Sequence, residues 1–303
     1  MLPPPPKQES PEGSRRRAIS KDGAPGNRTS AARGVEGKLS ERTQLPAVFI
    51  SHGSPMVLLD DDAYTRAIRR LGEAIPSPAA VLVVSAHWQR PLPIRVTGHP
   101  RPPLIYDFGG FPDELYEVSY PCPGSPELAA EIVSLLERGG FPAGTDASRG
   151  LDHGAWVPLR FAYPTAEVAV VEVSLPAGES PADLLRVGQA LAPLRERGAL
   201  LVGSGGIVHN LRRVAFDRKD AEVDPWARAF DDWVRDRLRA GDLESLISYR
   251  ELAPHADLAV PTTEHFDPLF VVLGSGHEGE RVIDLYEGFQ YGNLSMRSFL
   301  RTG

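Results

Sequence analysis

The sequence predicts an α/β fold: a single domain whose central sheet is mixed but largely parallel and is covered by helices on both faces. Three observations carry that expectation. From Ala47 onward, short apolar, β-branched runs alternate with segments of helical period. The runs are apolar throughout rather than alternating with polar residues, which is how strands covered on both faces read. A chain of 303 residues with 42% hydrophobic and 24% charged side chains is also long enough to fill one core of this kind.

Residues 1–44 come first, rich in Pro, Gly, Ser and Arg and almost without large apolar side chains. They cannot bury enough surface to offset the entropy of ordering, so a disordered N-terminal extension is expected there, followed by a domain over 45–303. The first strand is expected over 47–51 and a helix over 61–75. The run Ala80-Val-Leu-Val-Val-Ser85 is short and branched, which predicts a buried strand over 80–85, with another over 94–97. Pro and Gly then dominate 100–126, interspersed with Tyr106, Phe108, Phe111, Tyr116 and Tyr120; this suits a long structured loop over a pocket. Those rings either wall a substrate or only pack the loop onto the body. Helices are expected over 126–138, 181–197, 224–240 and 263–273, and strands over 168–174, 200–203, 281–285 and 293–299.

The net charge of -7 argues against a nucleic-acid or anionic-membrane partner, because both reward clustered Lys and Arg. A small molecule fits better. The single cysteine, Cys122, allows no intrachain disulfide and excludes zinc sites built on several thiolates, so a reducing, cytoplasmic location is expected. No apolar run approaches the roughly 18 residues needed to span a bilayer, and the N-terminal residues lack the apolar segment of a secretory signal.

Of the eight histidines, several stand where chemistry is placed in α/β sheets. His52 ends Val-Phe-Ile-Ser-His, His87 ends Val-Leu-Val-Val-Ser-Ala-His, and His209 follows Leu-Leu-Val-Gly-Ser-Gly-Gly-Ile-Val. Ligands bind outside the carboxyl ends of strands in such sheets, so histidines delivered there can converge on one point and form a metal site. His265 opens a helical segment at Pro-Thr-Thr-Glu-His-Phe, and His153 lies in Leu-Asp-His-Gly-Ala-Trp, read here as a Gly-flanked loop. Imidazole suits zinc, iron, copper or nickel, and three protein ligands leave positions open for substrate or water. Any one of these residues alone could equally be a core histidine bonded to a carbonyl, but five of them, three following buried runs, argue for a site. His99, His255 and His277 lie in polar or Pro/Gly-flanked turns and read as surface residues. Gly203-Ser-Gly-Gly206 matches neither a P-loop nor a dinucleotide fingerprint, and no G-x-S-x-G elbow supports a serine hydrolase. Ser85 reads as a small residue that permits tight packing.

Six motifs occur in order: His52-Gly-Ser-Pro55, Ser85-Ala-His-Trp88, Tyr106-Asp-Phe-Gly-Gly-Phe-Pro112, Leu151-Asp-His-Gly-Ala-Trp156, Gly203-Ser-Gly-Gly-Ile-Val-His-Asn210 and Pro261-Thr-Thr-Glu-His-Phe266. Together they resemble the DODA-type, LigB-like class III extradiol ring-cleaving dioxygenases. The likeness covers nearly all of the chain outside the extension. It implies that His52, His87 and His265 bind one divalent metal, Fe(II) for activity with Zn(II) as an occupant of purified protein. It also implies that His209 acts as a base and that His153 assists. Related enzymes with a carboxylate ligand make Glu264 a rival to His265; in this motif Glu264 serves instead as a helix N-terminal charge or a partner of the ligand. The expected substrates are a catechol such as DOPA and dioxygen. A neutral imidazole with a pKa near 6.5 could take a catechol proton around neutral pH. The competing reading is a zinc-dependent hydrolase using the same histidines, since zinc-bound water ionises near a pKa of about 7.

Overall fold

The computed structural model describes residues 44–75 and 77–303; apart from Gln44, the expected disordered extension lies outside the described residues. Among the described residues there are ten strands: β1 (Ala47–Ser51), β2 (Ala80–Arg90), β3 (Ile94–Thr97), β4 (Ala143–Asp146), β5 (Val170–Pro176), β6 (Ala199–Gly205), β7 (Arg281–Tyr286), β8 (Phe289–Gln290), β9 (Leu294–Ser295) and β10 (Ser298–Thr302). Eight of them form one sheet in the order β4-β3-β5-β2-β6-β1-β10-β7, and β8 pairs with β9. The four central strands β5, β2, β6 and β1 are mutually parallel. Antiparallel pairings join β3 to β5, β10 to β1 and β7 to β10, so the sheet is mixed with a parallel centre, as the apolar runs predict.

The helices are α1 (Ala63–Ala74), α2 (Glu114–Glu117), α3 (Pro126–Arg138), α4 (His153–Ala162), α5 (Pro181–Leu191), α6 (Pro225–Ala240), α7 (Leu243–Ile247), α8 (Tyr249–Leu252), α9 (Ala256–Ala259) and α10 (Pro268–Gly274). Local chemistry fixes their starts. Asp62 and Thr65 close a capping box on α1, while Ser125 and Ser180 accept from first-turn amides of α3 and α5, each of which opens with a proline. Gly241 ends α6 in the left-handed region at φ +66°, where a residue without Cβ pays no steric cost.

Because side chains alternate across a strand, each central strand feeds two cores. Ala47, Phe49, Leu82 and Val84 face one side, packed with Ile132 of α3, Leu184 of α5, Phe230 of α6 and Phe270 of α10. Val48, Ile50, Val81 and Val83 face the other, packed with Ile68 and Leu71 of α1 and Trp156 and Leu159 of α4. Burying each such side chain is worth about 1.5–3 kcal/mol, so both faces hold the sheet. Among the described residues no helix is long and apolar enough to cross a membrane.

The structure departs from the sequence expectations at places with physical causes. The expected helix over 181–197 stops at Leu191 and continues as a 3-10 segment, Ala192–Arg197, because Pro193 has no amide hydrogen to continue the α ladder. The expected helix over 263–273 is regular only from Pro268. The strand expected over 80–85 runs on to Arg90 with a register shift between Ser85 and Gln89, so His87 lies in an irregular stretch within β2 rather than just after it. The strand expected over 293–299 is two short ones, β9 and β10. His153 does not lie in a loop but opens α4. This helix is buried on every side from His153 to Leu159 and contains Pro158, so it shows no amphipathic period.

Candidate active site

The register of the parallel centre brings the strand ends level. Ser51 of β1 lies opposite Gly205 of β6, and Ser85 of β2 lies opposite Ser204. His52, one residue past β1, donates its backbone N–H to the Gly205 carbonyl at 3.1 Å. His87 arrives from β2, and their Nε2 atoms face each other at 3.0 Å. The third approach comes from the segment before α10. The Gly206 N–H donates to the His265 carbonyl at 2.8 Å, and a Cβ on Gly205 would stand 2.1 Å from that oxygen. The glycines of Gly203-Ser-Gly-Gly206 therefore serve close backbone approach, not phosphate binding.

The result is a cluster. One ring nitrogen from each of His52, His87 and His265 lies within 4.8 Å of the others, the spacing of a group able to hold a metal ion. His153 joins it, its ring centroid 4.0 Å from that of His87 and 5.4 Å from that of His52. His209, in the loop after β6, stacks on His265 with centroids 3.5 Å apart. All five candidate histidines are thus brought together. The other three are not: His255 is exposed, and His99 and His277 are half-buried in turns away from the cluster.

Hydrogen bonds set the ring tautomers. Ser204 Oγ donates its one proton to the Gly154 carbonyl at 2.5 Å, so toward His52 Nδ1, 2.9 Å away, it can only accept. His52 therefore carries its proton on Nδ1 and presents a bare Nε2. His265 is similar. Its Nδ1 lies 3.2 Å from Glu264 Oε1, which also accepts from Thr262 Oγ1, and its Nε2 is buried without a hydrogen-bond partner. A buried lone pair with no partner is costly, and a metal ion is the partner these atoms fit. The 3.0 Å between the Nε2 atoms of His52 and His87 suits two nitrogens each about 2.1 Å from a single ion.

The electrostatics agree with neutral imidazoles. Burial, and then the neighbouring rings of His87 and His265, push His52 well below the usual histidine range. Burial and then His209 do the same to His265. His87 is lowered to about 4 by burial and by His153. His209 also falls to about 4, through burial and then His87, well under the value near 6.5 expected of a free imidazole.

Asp107 is a residue that sequence reasoning passed over, although it sits in the Tyr106-Asp-Phe-Gly-Gly motif. Its Oδ1 accepts the His153 backbone N–H at 2.9 Å and lies 3.0 Å from His153 Nδ1, while Oδ2 is 3.7 Å from His87 Nδ1. Burial works to raise its pKa, but the contact with His153 outweighs that and holds the carboxyl at about 2. The aromatic loop packs outward from this point. Phe108 stands edge-on to His153 at 5.7 Å and against Tyr116 at 5.3 Å, and Tyr106 meets Trp156 at 5.6 Å. Phe108 thus borders the cluster while Tyr106 packs onto the body. Ser85, expected only as a small packing residue, is also a hydrogen-bond donor to Asp152.

Residues 46–296 match the family described as the catalytic LigB subunit of aromatic ring-opening dioxygenase. A 4,5-DOPA dioxygenase extradiol from Escherichia coli K12 is 41% identical over 268 residues, covering 87% of this chain and 97% of that protein. One of the same name from Beta vulgaris is 41% identical over 255 residues, covering 83% and 94%. A crystal structure of an uncharacterized protein from Escherichia coli K12 superposes with a TM-score of 0.72 at 37% identity, covering 86% of this chain and 100% of the other. The chain belongs to the LigB family and is an extradiol aromatic ring-opening dioxygenase.

Proposed function

We propose that this protein opens a catecholic, DOPA-like ring beside its diol with dioxygen, at one divalent metal held by His52, His87 and His265. The observation that carries the reading is the convergence of three imidazoles, two of them locked by Ser204 and Glu264 with Nε2 free. Glu264 acts here as the partner that orients His265 rather than as a ligand in its place. Fe(II) bound at these nitrogens would supply the chelation of the diol and the electron relay between ring and dioxygen.

The remaining roles fall to the chain. His209, neutral at pH 7 with its pKa lowered to about 4, takes the proton of a catechol hydroxyl on a ring nitrogen. His153 donates to substrate oxygen, and the Asp107 carboxylate 3.0 Å from its Nδ1 offsets positive charge on that ring. Phe108 lies against His153 and excludes water from one side of the cluster. The names of the relatives support a DOPA-like catechol as substrate.

The test is anaerobic loading with Fe(II), then dioxygen uptake with a panel of catechols, read by the yellow colour of ring-opened products. Stoichiometric uptake is expected with at least one catechol, and none with phenols lacking the second hydroxyl. His52→Ala, His87→Ala and His265→Ala should each lose the metal while the fold persists. Ester hydrolysis by the zinc form without catechol cleavage by the iron form would instead favour the hydrolase.

A further inference from the structure

Directly behind the histidines lies a charged cluster to which the proposed chemistry assigns nothing. Asp152 and Glu172 are both 0% exposed, at the N-cap of α4 and on β5. Two buried carboxyl groups side by side are expensive unless each is well bonded. The Glu172 Oε2 accepts the Asp152 backbone N–H at 3.1 Å. Asp152 receives donors only: Ser85 Oγ at 2.7 Å and Ala155 N at 3.2 Å on Oδ1, and Arg149 at 3.1 Å on Oδ2. Its side-chain oxygens therefore act only as acceptors. Burial, and then the Asp152 charge, push Glu172 well above the usual carboxyl range. Arg149, which reaches both carboxyls, is itself held over the Trp88 ring at 5.0 Å.

Asp152 touches the supports of three of the five histidines, His87, His153 and His52. Ser85, which donates to it, accepts the His87 backbone N–H at 3.2 Å, within the irregular stretch of β2. His153 is the next residue in the chain. The carbonyl of Gly154, the residue after that, takes the Ser204 proton that fixes the His52 tautomer. His153 in turn stands 4.0 Å, centroid to centroid, from His87 and is tied to Asp107. His52 further packs against His265 at 5.3 Å. Gly154 has no room to adjust, since a Cβ there would stand 2.5 Å from Ser85 Oγ.

We infer that the buried Asp152–Glu172 pair is the positioning element of this site, holding the first turn of α4 and the His87 stretch of β2 in one register. The inference rests on the histidine roles proposed above. Asp152 and Glu172 act through Ser85, Gly154 and the α4 backbone and are not themselves in contact with substrate. Asp152→Asn keeps the size and the acceptor for Ser85 but turns an amide N–H₂ toward Arg149, which is itself a donor. A misplacement of about 1 Å costs around 10²-fold in rate, and loss of a ligand's outer partner costs about 10–100-fold in metal affinity.

The experiment measures Zn(II) affinity by competition with a chelator, and kcat and KM with saturating Fe(II), for Asp152→Asn, Ser85→Ala, Glu172→Leu and Glu172→Gln. Asp152→Asn should weaken Zn(II) binding by about 10-fold or more and lower kcat by about 10² with KM held within a few-fold. Ser85→Ala, which removes only the link and is the milder substitution, should move both quantities in the same direction. Glu172→Gln, which keeps an acceptor for the Asp152 N–H, should restore what Glu172→Leu loses. Wild-type Zn(II) affinity and kcat in both Asp152→Asn and Ser85→Ala would overturn the inference. So would a fall in kcat that tracks the folded fraction alone, or a Glu172→Gln variant as impaired as Glu172→Leu. Because Zn(II) affinity needs no turnover, a wild-type protein inert toward every catechol would refute the proposed reaction and leave this inference to be judged on metal binding.

Discussion

The imidazole of His209 lies parallel to that of His265, with ring centroids 3.5 Å apart and planes 8° apart. The stack joins His265 to His209, which sits on a loop that follows Gly206 and is anchored by the His209 N–H to the Ala259 carbonyl at 3.0 Å; His209, Glu264 and His265 are themselves spaced as a second group able to hold an ion. Under the proposed roles, His265 holds the metal and the adjacent His209 ring acts as base, so metal retention in a His209 variant separates the two functions.

A first prediction follows for His209→Ala. The variant should keep its metal and lose about 10²–10⁴ in turnover, the range for removal of a general base. Burial lowers the His209 pKa to about 4, so the base is available at neutral pH and is lost only as pH falls through that value. The wild-type kcat/KM should then hold through pH 6 and decline near pH 4 at constant metal occupancy, and this limb should be missing in the variant. A decline centred near 6.5 would contradict the assignment, as would loss of metal.

Gly154→Ala probes the space behind the cluster. The new methyl would sit 2.5 Å from Ser85 Oγ and 3.0 Å from His87 Cδ2, in a turn whose backbone is fixed by capping. Overpacking of this kind costs about 1–3 kcal/mol and shifts its neighbours. A lower melting temperature together with weaker metal retention is expected; unchanged values for both would show that the first turn of α4 can yield.

Asp231 and Arg297 form a pair in which both side chains are 3% exposed, at 2.6 Å, and Ser295 also donates to the carboxylate. This pair lies below the His52 end of β1, since Ser51 Oγ donates to the Arg297 carbonyl. Asp231→Ala leaves a buried guanidinium short of its main partner and should cost about 3–5 kcal/mol in urea unfolding. The flanking Asp284 and Glu287 contacts would blunt the loss, and a change below about 1 kcal/mol would show that they suffice.

Cys122 gives a chemical readout of burial. It is 2% exposed, and burial pushes its thiol up to about 11 from an ordinary value of 9.0. Native protein at pH 8 should react with iodoacetamide at least about 10² more slowly than urea-unfolded protein. The shift has a consequence for stability as well. A thiol that ionises later in the folded state favours folding below pH 9, and that contribution drains away as pH rises toward 11. Rapid labelling of the native state would show that the segment around Pro121 and Pro123 opens.

Much of this protein was legible in the chain itself. Residues 47–51, 80–85 and 200–203 announce central strands, because a strand covered on both faces must be apolar at every position. The same logic placed His52, His87 and His209 at the ends of apolar runs, His153 and His265 were read beside them from their local sequence, and the ordered motifs added their roles. What the sequence could not show are partners chosen by tertiary contact. Ser204 reaches His52 across 152 residues, Ser85 meets Asp152 across 67, and Asp107 meets His153 across 46. No local period marks such pairs, because a hydrogen bond between distant residues leaves no spacing to read. Helix α4 was hidden for a related reason: burial on all sides erases the polar face by which a helix is recognised. The sequence by itself determined the parallel centre of the sheet and the five candidate histidines; only the tertiary structure decided which ring nitrogen His52 and His265 present, because that is set by hydroxyl and carboxylate groups that folding brings against the rings.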